Sequence, residues 1–406
     1  MPIPMPTQAD STAKTGNPSS GTPSPETLDW LKTLVAFPTV SRESNLDLIH
    51  HVRDRLAEMG VDSVVLPRDD GFKANLWARI GPDAPGGVAL SGHTDVVPID
   101  GQTWTSDPFT LTERDGLLYG RGSADMKGFI ACVLAKVPAM KAAGLTRPID
   151  LCFSYDEEVG CLGVDGLIAH IGTLAHKPDW VLVGEPTGMG AVTGHKGKLA
   201  MACTVRGRTG HSSLAPHAVN AVQIASRLVA MLADMADEAA AEGVHDERYD
   251  LPHTTVHVGQ IEGGRALNIV PDECRFEFEV RHLAVDDPMD VLTRLQAYAE
   301  TLLEKAREVA PEASVTWEPI FKYAGLDMPE DAEPVRTVQR LARSNTSSRV
   351  AYGTEGGKFQ ALGGLSAVVC GPGHIIQAHK ADEFIDPAQL AAMEGFLDRL
   401  IDEMAG

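Results

Sequence analysis

The stretch VALSGHTDVVP, Val88 to Pro98, decides how this chain folds. Val88, Ala89 and Leu90 form a short apolar run of the kind buried inside a parallel sheet. Gly92 lets the backbone turn tightly and delivers His93 and Asp95. On an extended backbone residues two apart project to the same side, so imidazole and carboxylate would face one crevice. In open α/β sheets, ligands bind in the crevice outside the carboxyl ends of the strands. A neutral imidazole is a common metal ligand, and a carboxylate behind it can fix its tautomer and orientation. A lone His-x-Asp also fits a bland surface turn, so the weight falls on how the later strands end.

Working outward, helical signals precede this strand. Ser24-Pro25 reads as an N-cap with Pro at the first helical position, followed by Leu28, Leu31, Leu34 and Val35 on one face. A second helix spans about Asn45 to Met59, with Gly60 as its stop. VDSVVLP and ANLWARI read as strands. Beyond Pro98 come a long connection, an apolar helix over Gly128–Ala143, and buried strands over Ile149–Glu158 and Trp180–Thr187, with a short helix over Asp165–Ile171 between them. Such alternation predicts an α/β fold with a mixed, mostly parallel sheet and helices on both faces.

The pattern changes after residue 194. Strand, helix, two strands, helix and strand follow between Lys198 and Pro319. That β-α-β-β-α-β order suits an antiparallel sheet with two helices on one face, an inserted α+β unit of ferredoxin-like type. The expected division is a flexible tail over residues 1–23, a first domain over 24–194 plus 323–406, and an insertion over 195–322.

A length of 406 residues is natural for two domains. A formal net charge of −21 argues against nucleic acid or an anionic membrane as partner, because both select basic surfaces. The six cysteines are scattered, without a C-x-x-C pair, and several sit in apolar runs. That usage suggests buried reduced thiols and a reducing, cytoplasmic compartment. No segment has the length and apolarity of a membrane span, and the Pro/Thr/Ser/Gly-rich start lacks the build of a secretory signal.

Several strand or loop ends carry potential ligands: His93 with Asp95, Asp125, Glu157 with Glu158, Glu185 and, from the C-terminal return, His379. Each alone has an ordinary reading. Asp125 fits a helix N-terminal acid, Glu157 and Glu158 an exposed pair, Glu185 a turn before Pro186, and His379 a solvated loop histidine. Together the acids converge on one edge of the expected sheet. Two histidines and three carboxylates suffice for two borderline metal ions with one carboxylate bridging. One carboxylate, Glu157, remains to serve as a general base.

The motifs SGHTDVVP, GRGSADMKG, SYDEEVG, VGEPT, GHSS, NIVP and QAHKADEF, in this order from about Thr27 to the end, resemble the M20 metallopeptidase family. The resembling branch holds acetylornithine deacetylase and succinyl-diaminopimelate desuccinylase. The resemblance implies two divalent ions, zinc or cobalt. His93 and Glu185 would hold one, Glu158 and His379 the other, with Asp125 bridging. It implies that Asp95 orients His93, that Glu157 is the general base, and that the Asp125–Met126 peptide is cis. It further implies that the insertion is a dimerisation lid, that His211 reaches the partner subunit's reaction centre, and that Asn268, Arg281, Gly353 and Thr354 contact substrate.

The implied activity is hydrolysis of an N-acyl amino acid. N2-acetyl-L-ornithine, a substrate of arginine biosynthesis, is the first choice, and succinyl-diaminopimelate, N-formyl and other N-acetyl amino acids are the alternatives. A non-catalytic metal-bound module is disfavoured because Glu157 and all five ligands are present. A dinucleotide site is disfavoured because Gly120 and Gly122 are followed by Asp125 where G-x-G-x-x-G requires glycine. A serine hydrolase is disfavoured because no G-x-S-x-G elbow occurs.

Overall fold

Four parallel strands at the centre of the larger sheet set the geometry of the site. In the computed structural model, which describes residues 21–406, they lie in the order Ile149–Ser154, Val88–His93, Trp180–Val183 and Ser366–Val369. Val88 pairs with both Ile149 and Trp180, so three strands begin level and end on one edge. Every residue of those three strands is buried, as two covered faces require. Neighbouring residues of one strand show that both faces are covered. Gly92 packs toward Phe129 and Ile130 of the helix Lys127–Ala142, whereas Ser91 Oγ donates to Glu355 at the start of the helix Gly356–Gly363.

Antiparallel strands flank this centre. Ala74–Ile80 and Ser63–Pro67 continue it on one side; Ala191–His195 and Leu326–Asp327 continue it on the other. The expectation of a mixed sheet holds, with the parallel pairs concentrated where the ligand-bearing ends meet. Three strands of this sheet carry no clear signal in the sequence: Ala191–His195, short and interrupted by Gly194, the two-residue Leu326–Asp327, and Ser347–Val350, which carries three polar residues in four. The helix Gly356–Gly363 carries none either, because GGKFQALG has poor intrinsic helix propensity.

After His195 the chain crosses into a second sheet. Its strand order is Thr255–Gly263, Glu273–His282, Gly197–Arg206, Ser314–Tyr323, all antiparallel. The helices Ala221–Glu242 and Met289–Arg307 pack with it around a separate core that includes Leu228, Leu232, Phe276, Phe278, Leu295 and Leu303. The chain returns to the large sheet at Leu326.

The described N-terminal end is fastened to the C-terminal helix Pro387–Ala405. Ser24 caps the helix Pro25–Val35 by accepting from Thr27 N, and Pro25 opens it as the sequence signals. The Ser24 backbone N–H and hydroxyl donate to Glu394 at 2.9 and 2.6 Å, and the Thr27 hydroxyl donates to it as well. Of the tail expected over residues 1–23, residues 1–20 lie outside the described residues. Replacing Glu394 with Ala strips the acceptor from these donors and is expected to lower the unfolding free energy by about 2 kcal/mol. Chemical denaturation of the variant beside the parent checks this.

Candidate metal centre and substrate cleft

The large sheet brings the ligand candidates together by ending its parallel strands at one level. His93 is the last residue of its strand and is 1 % exposed. Its Nδ1 lies 2.9 Å from the Asp95 carbonyl. A carbonyl only accepts, so Nδ1 carries the proton and Nε2 faces the cleft. The Asp95 carboxylate lies farther from Nδ1, at 3.6 Å. It accepts instead from Ser41 Oγ at 2.7 Å and from the backbone N–H groups of Glu157 and Glu158 at 3.1 and 3.4 Å. Asp95 thus ties the next ligand loop to the histidine strand. Its backbone carbonyl lies nearer to Nδ1 than the carboxylate to which the resemblance gives the orienting role.

The strand expected over Ile149–Glu158 ends at Ser154. Asp156 then turns into the left-handed region (φ 56°), a conformation Asp tolerates better than most residues. Buried Lys73 pairs with the Asp156 carboxylate and fixes the turn. The turn places Glu157 and Glu158 over the strand ends. Glu185 follows Trp180–Val183 through Gly184, where a Cβ would lie 2.1 Å from the Phe129 ring, so only glycine fits. Asp125 arrives from the loop before the helix Lys127–Ala142, and its peptide to Met126 is cis, as the resemblance implies. His379 comes from the C-terminal return with φ 61°, its side chain 52 % exposed at the rim.

Asp125 joins the two halves of the centre. Its Oδ1 is 3.1 Å from His93 Nε2, and its Oδ2 is 3.3 Å from His379 Nε2. Glu185 Oε1 stands 3.6 Å from His93 Nε2, and Glu158 Oε2 stands 2.9 Å from His379 Nε2. Glu157 groups with His93 and Glu185, each offering an atom within 4.8 Å of the others. Four carboxylates therefore share a cleft with two imidazoles, and the titration equilibria register the crowding. Burial and the Asp125 charge push Glu158 up to about 7. Burial also pushes Glu157 and Glu185 well above the usual carboxylate range. Hydrogen bonds to Asp125 and Glu158 push His379 up to about 10. For Asp125 burial acts upward, yet the two histidines hold its carboxyl well below the ordinary value.

This donor set fits two divalent ions. Buried Glu185 Oε1 has no hydrogen-bond partner among the described residues, and nitrogen and oxygen donors in this number suit borderline metals. Each oxygen of Asp125 lies beside one of the two histidines, which is the arrangement a bridging carboxylate needs.

Residues 89–403 match the profile of peptidase family M20/M25/M40. The chain belongs to this family. It is 34 % identical over 388 residues to an acetylornithine deacetylase of Pasteurella multocida (strain Pm70), covering 93 % of this chain and 98 % of the relative. Among solved structures it resembles an M20 family metallo-carboxypeptidase of Sulfolobus solfataricus, with TM-score 0.76, 19 % identity, and 94 % and 100 % of the two chains covered. It also resembles a dinuclear metal-binding M20 peptidase of Bacillus subtilis, with TM-score 0.64, 15 % identity, and 93 % and 97 % covered. The protein is a hydrolase of the M20 family, and its cleft carries a donor set suited to divalent metal.

Above the acids of this M20 chain lies a cavity of about 180 Å³, walled on its far side by the second sheet. Arg281 and Gly353 line it. Gly353 meets the Tyr323 ring so closely that a Cβ would stand 2.1 Å from it. Thr354 does not reach the cavity. It is fully buried, and its hydroxyl accepts from Gly356 N at the start of the next helix. His211 and Asn268 are exposed and outside the cavity lining. They sit together, with Ser212 N donating to Asn268 O at 3.0 Å and His211 Nδ1 2.7 Å from Ser213 Oγ.

Several residues of the site carry no mark in the local sequence. Cys161 lines the cavity, its thiol donating to Glu157 Oε1 at 3.3 Å. Glu355 lies beneath the acids, and burial raises its carboxyl above the usual range. Glu383 is the most connected of them. Its carboxylate accepts from the backbone N–H groups of Gly122, Ala124 and Asp125 at 3.0, 3.0 and 3.1 Å and pairs with buried Arg121 at 2.7 Å. The hint was an acid four residues beyond His379 in QAHKADEF; nothing local says that it faces inward. Changing Glu383 to Ala leaves Arg121 buried and unpaired, so a stability loss of about 3–5 kcal/mol is expected. The same change frees the Asp125 loop and is expected to weaken metal binding by about 10–100-fold. Unfolding curves and metal titrations of the variant measure the two losses.

Proposed function

We propose that this M20 hydrolase converts N2-acetyl-L-ornithine to L-ornithine and acetate, using zinc, with cobalt as a working substitute. The observation that carries the metal chemistry is Asp125, which offers one oxygen beside His93 and Glu185 and the other beside His379 and Glu158. The choice of substrate is supported by the relatives of similar length that bear the name acetylornithine deacetylase.

His93, Glu185, Glu158 and His379 would hold the ions, with Asp125 between the two pairs. Two ions bound there would polarise the scissile carbonyl and acidify water. Glu157 takes the proton of the attacking water and passes it to the leaving nitrogen. Arg281 receives the substrate carboxylate, because guanidinium meets carboxylate as a two-pronged donor. Gly353 lines the cavity beside Tyr323, and Thr354 supports it from behind by accepting from Gly356 N.

Residues 24–194 with 323–406 form the catalytic domain, and 195–322 form a lid through which two copies pair. His211 and Asn268 lie away from the cavity of their own chain beside fully exposed Leu267. That placement supports delivery of both residues to the partner's cleft, where His211 donates to the developing oxyanion. A cytoplasmic location is supported by the six buried, unpaired cysteines.

Hydrolysis of N2-acetyl-L-ornithine by zinc-loaded protein, beside N-succinyl-L,L-diaminopimelate and N-formyl amino acids, is the direct test. Chelator-sensitive turnover of acetylornithine well above the others is expected; a different favourite substrate would displace the proposal while leaving the metal chemistry. Glu157→Gln should retain two ions per chain and lose about 10²–10⁴-fold in kcat. Loss of an ion instead would mean that Glu157 is a ligand. His211→Ala should slow turnover by about 10²–10³-fold at unchanged metal content.

A further inference from the structure

The open face of the second sheet forms the roof of the cavity. Its register sets Arg281, Lys198 and Tyr323 in one row across three strands, with Glu279, Ala200 and Phe321 in the next row. Strand periodicity turns both rows to the same side. Arg281, Lys198, Phe321 and Tyr323 accordingly line the cavity.

Glu279 is divided between the two cations. Its Oε2 accepts from Lys198 Nζ at 2.5 Å, and its Oε1 accepts from Arg281 Nε at 2.8 Å. Lys198 is locked from the other side as well, its Nζ standing 4.8 Å over the Phe321 ring. Phe321 stacks on Tyr323, with centroids 6.3 Å apart and planes 5° from parallel. The Lys198 side chain is 14 % exposed and that of Glu279 26 %, so solvent screens the trio only partly. Burial acts to raise the Glu279 carboxyl, but Lys198 and Arg281 together hold it below the usual value.

This division governs what Arg281 can offer. Only Nε is engaged by Glu279, and among the described residues neither Nη makes a hydrogen bond. Without Lys198, Glu279 would keep its full charge beside Arg281. The guanidinium fork matches a carboxylate in two-pronged fashion, so Glu279 would then occupy donors that an incoming carboxylate needs. It would also cancel the positive field that attracts the substrate.

We propose that Lys198 is a positioning residue for substrate binding: by holding Glu279, it keeps the Nη groups of Arg281 free for the carboxylate of the N-acyl amino acid. The inference rests on the reading of Arg281 as the carboxylate clamp of an N-acyl amino acid hydrolase. It predicts a loss in binding, with the chemical step left intact, because Lys198 acts on no reacting atom.

The test is a double-mutant cycle on the metal-loaded protein, with N2-acetyl-L-ornithine as substrate. Lys198→Met should raise KM about tenfold, equivalent to ~1.4 kcal/mol, with kcat within about twofold. Lys198→Arg should return KM to within about threefold of the parent, since either cation can hold Glu279. In a Glu279→Gln background, Lys198→Met should change KM by less than about twofold, because the partner through which it acts has lost its charge. Thermal denaturation of each variant separates misfolding from these effects. An unchanged KM in Lys198→Met overturns the proposal, and so does failure of Lys198→Arg to restore binding. An equal rise with and without the Glu279 charge also overturns it, since Lys198 would then touch the substrate itself. The same cycle is read as calorimetric Kd for acetylornithine on the metal-loaded Glu157→Gln protein. Binding without hydrolysis in the parent would sink the proposed reaction while the Kd cycle still decides the role of Lys198. No binding of any N-acyl amino acid would remove both.

Discussion

Like charges crowd the floor of the cleft, and most of the surrounding structure answers to that crowding. Asp125, Glu157, Glu158 and Glu185 share one space with two imidazoles. Carboxylates this buried and this close cannot all ionise without a compensating cation; burial first, and the neighbouring charges after it, raise Glu157, Glu158 and Glu185. Divalent ions held there would resolve the conflict, and would supply the charge that activates water and a carbonyl.

Holding the acids in place requires further charges, each paired with care. Glu383 gathers three backbone N–H groups of the Asp125 loop and is balanced by Arg121. Asp95 ties the Glu157–Glu158 loop to the histidine strand. Asp156 is anchored by Lys73 in the turn that swings those glutamates over the sheet. The roof repeats the device with Lys198, Glu279 and Arg281. In each case one ionic partner is spent on geometry so that another group can face the cleft with its donors or lone pairs free.

Much of this was legible in the chain itself. The buried strands at Val88, Ile149 and Trp180 announce themselves as apolar runs, and the acids and imidazole that follow mark the edge where they end. The β-α-β-β-α-β order of the insertion is equally plain, because each element is long and periodic. Less legible were elements whose local signal is weak: the strand AVTGH, the polar strand SSRV and the glycine-rich helix at Gly356. Their conformations are imposed by neighbours. The spacing of His93 and Asp95 does not say which Asp95 oxygen lies nearer the imidazole; Ser41 and the Glu157 loop, far away in sequence, hold the carboxylate and leave the carbonyl closer.

By its sequence alone this protein determined its α/β class, its inserted α+β unit, the inventory of candidate ligands and the family to which it belongs. Periodicity and short motifs are local properties, and residue type limits which chemistry a site can hold. Tertiary structure alone decided that Asp125 lies between two donor pairs, that Glu383 and Arg121 support its loop, and that Thr354 turns away from the cavity. It alone decided that Lys198 shares Glu279 with Arg281. Those facts depend on strand register and on contacts between residues tens to hundreds of positions apart, which no local pattern encodes.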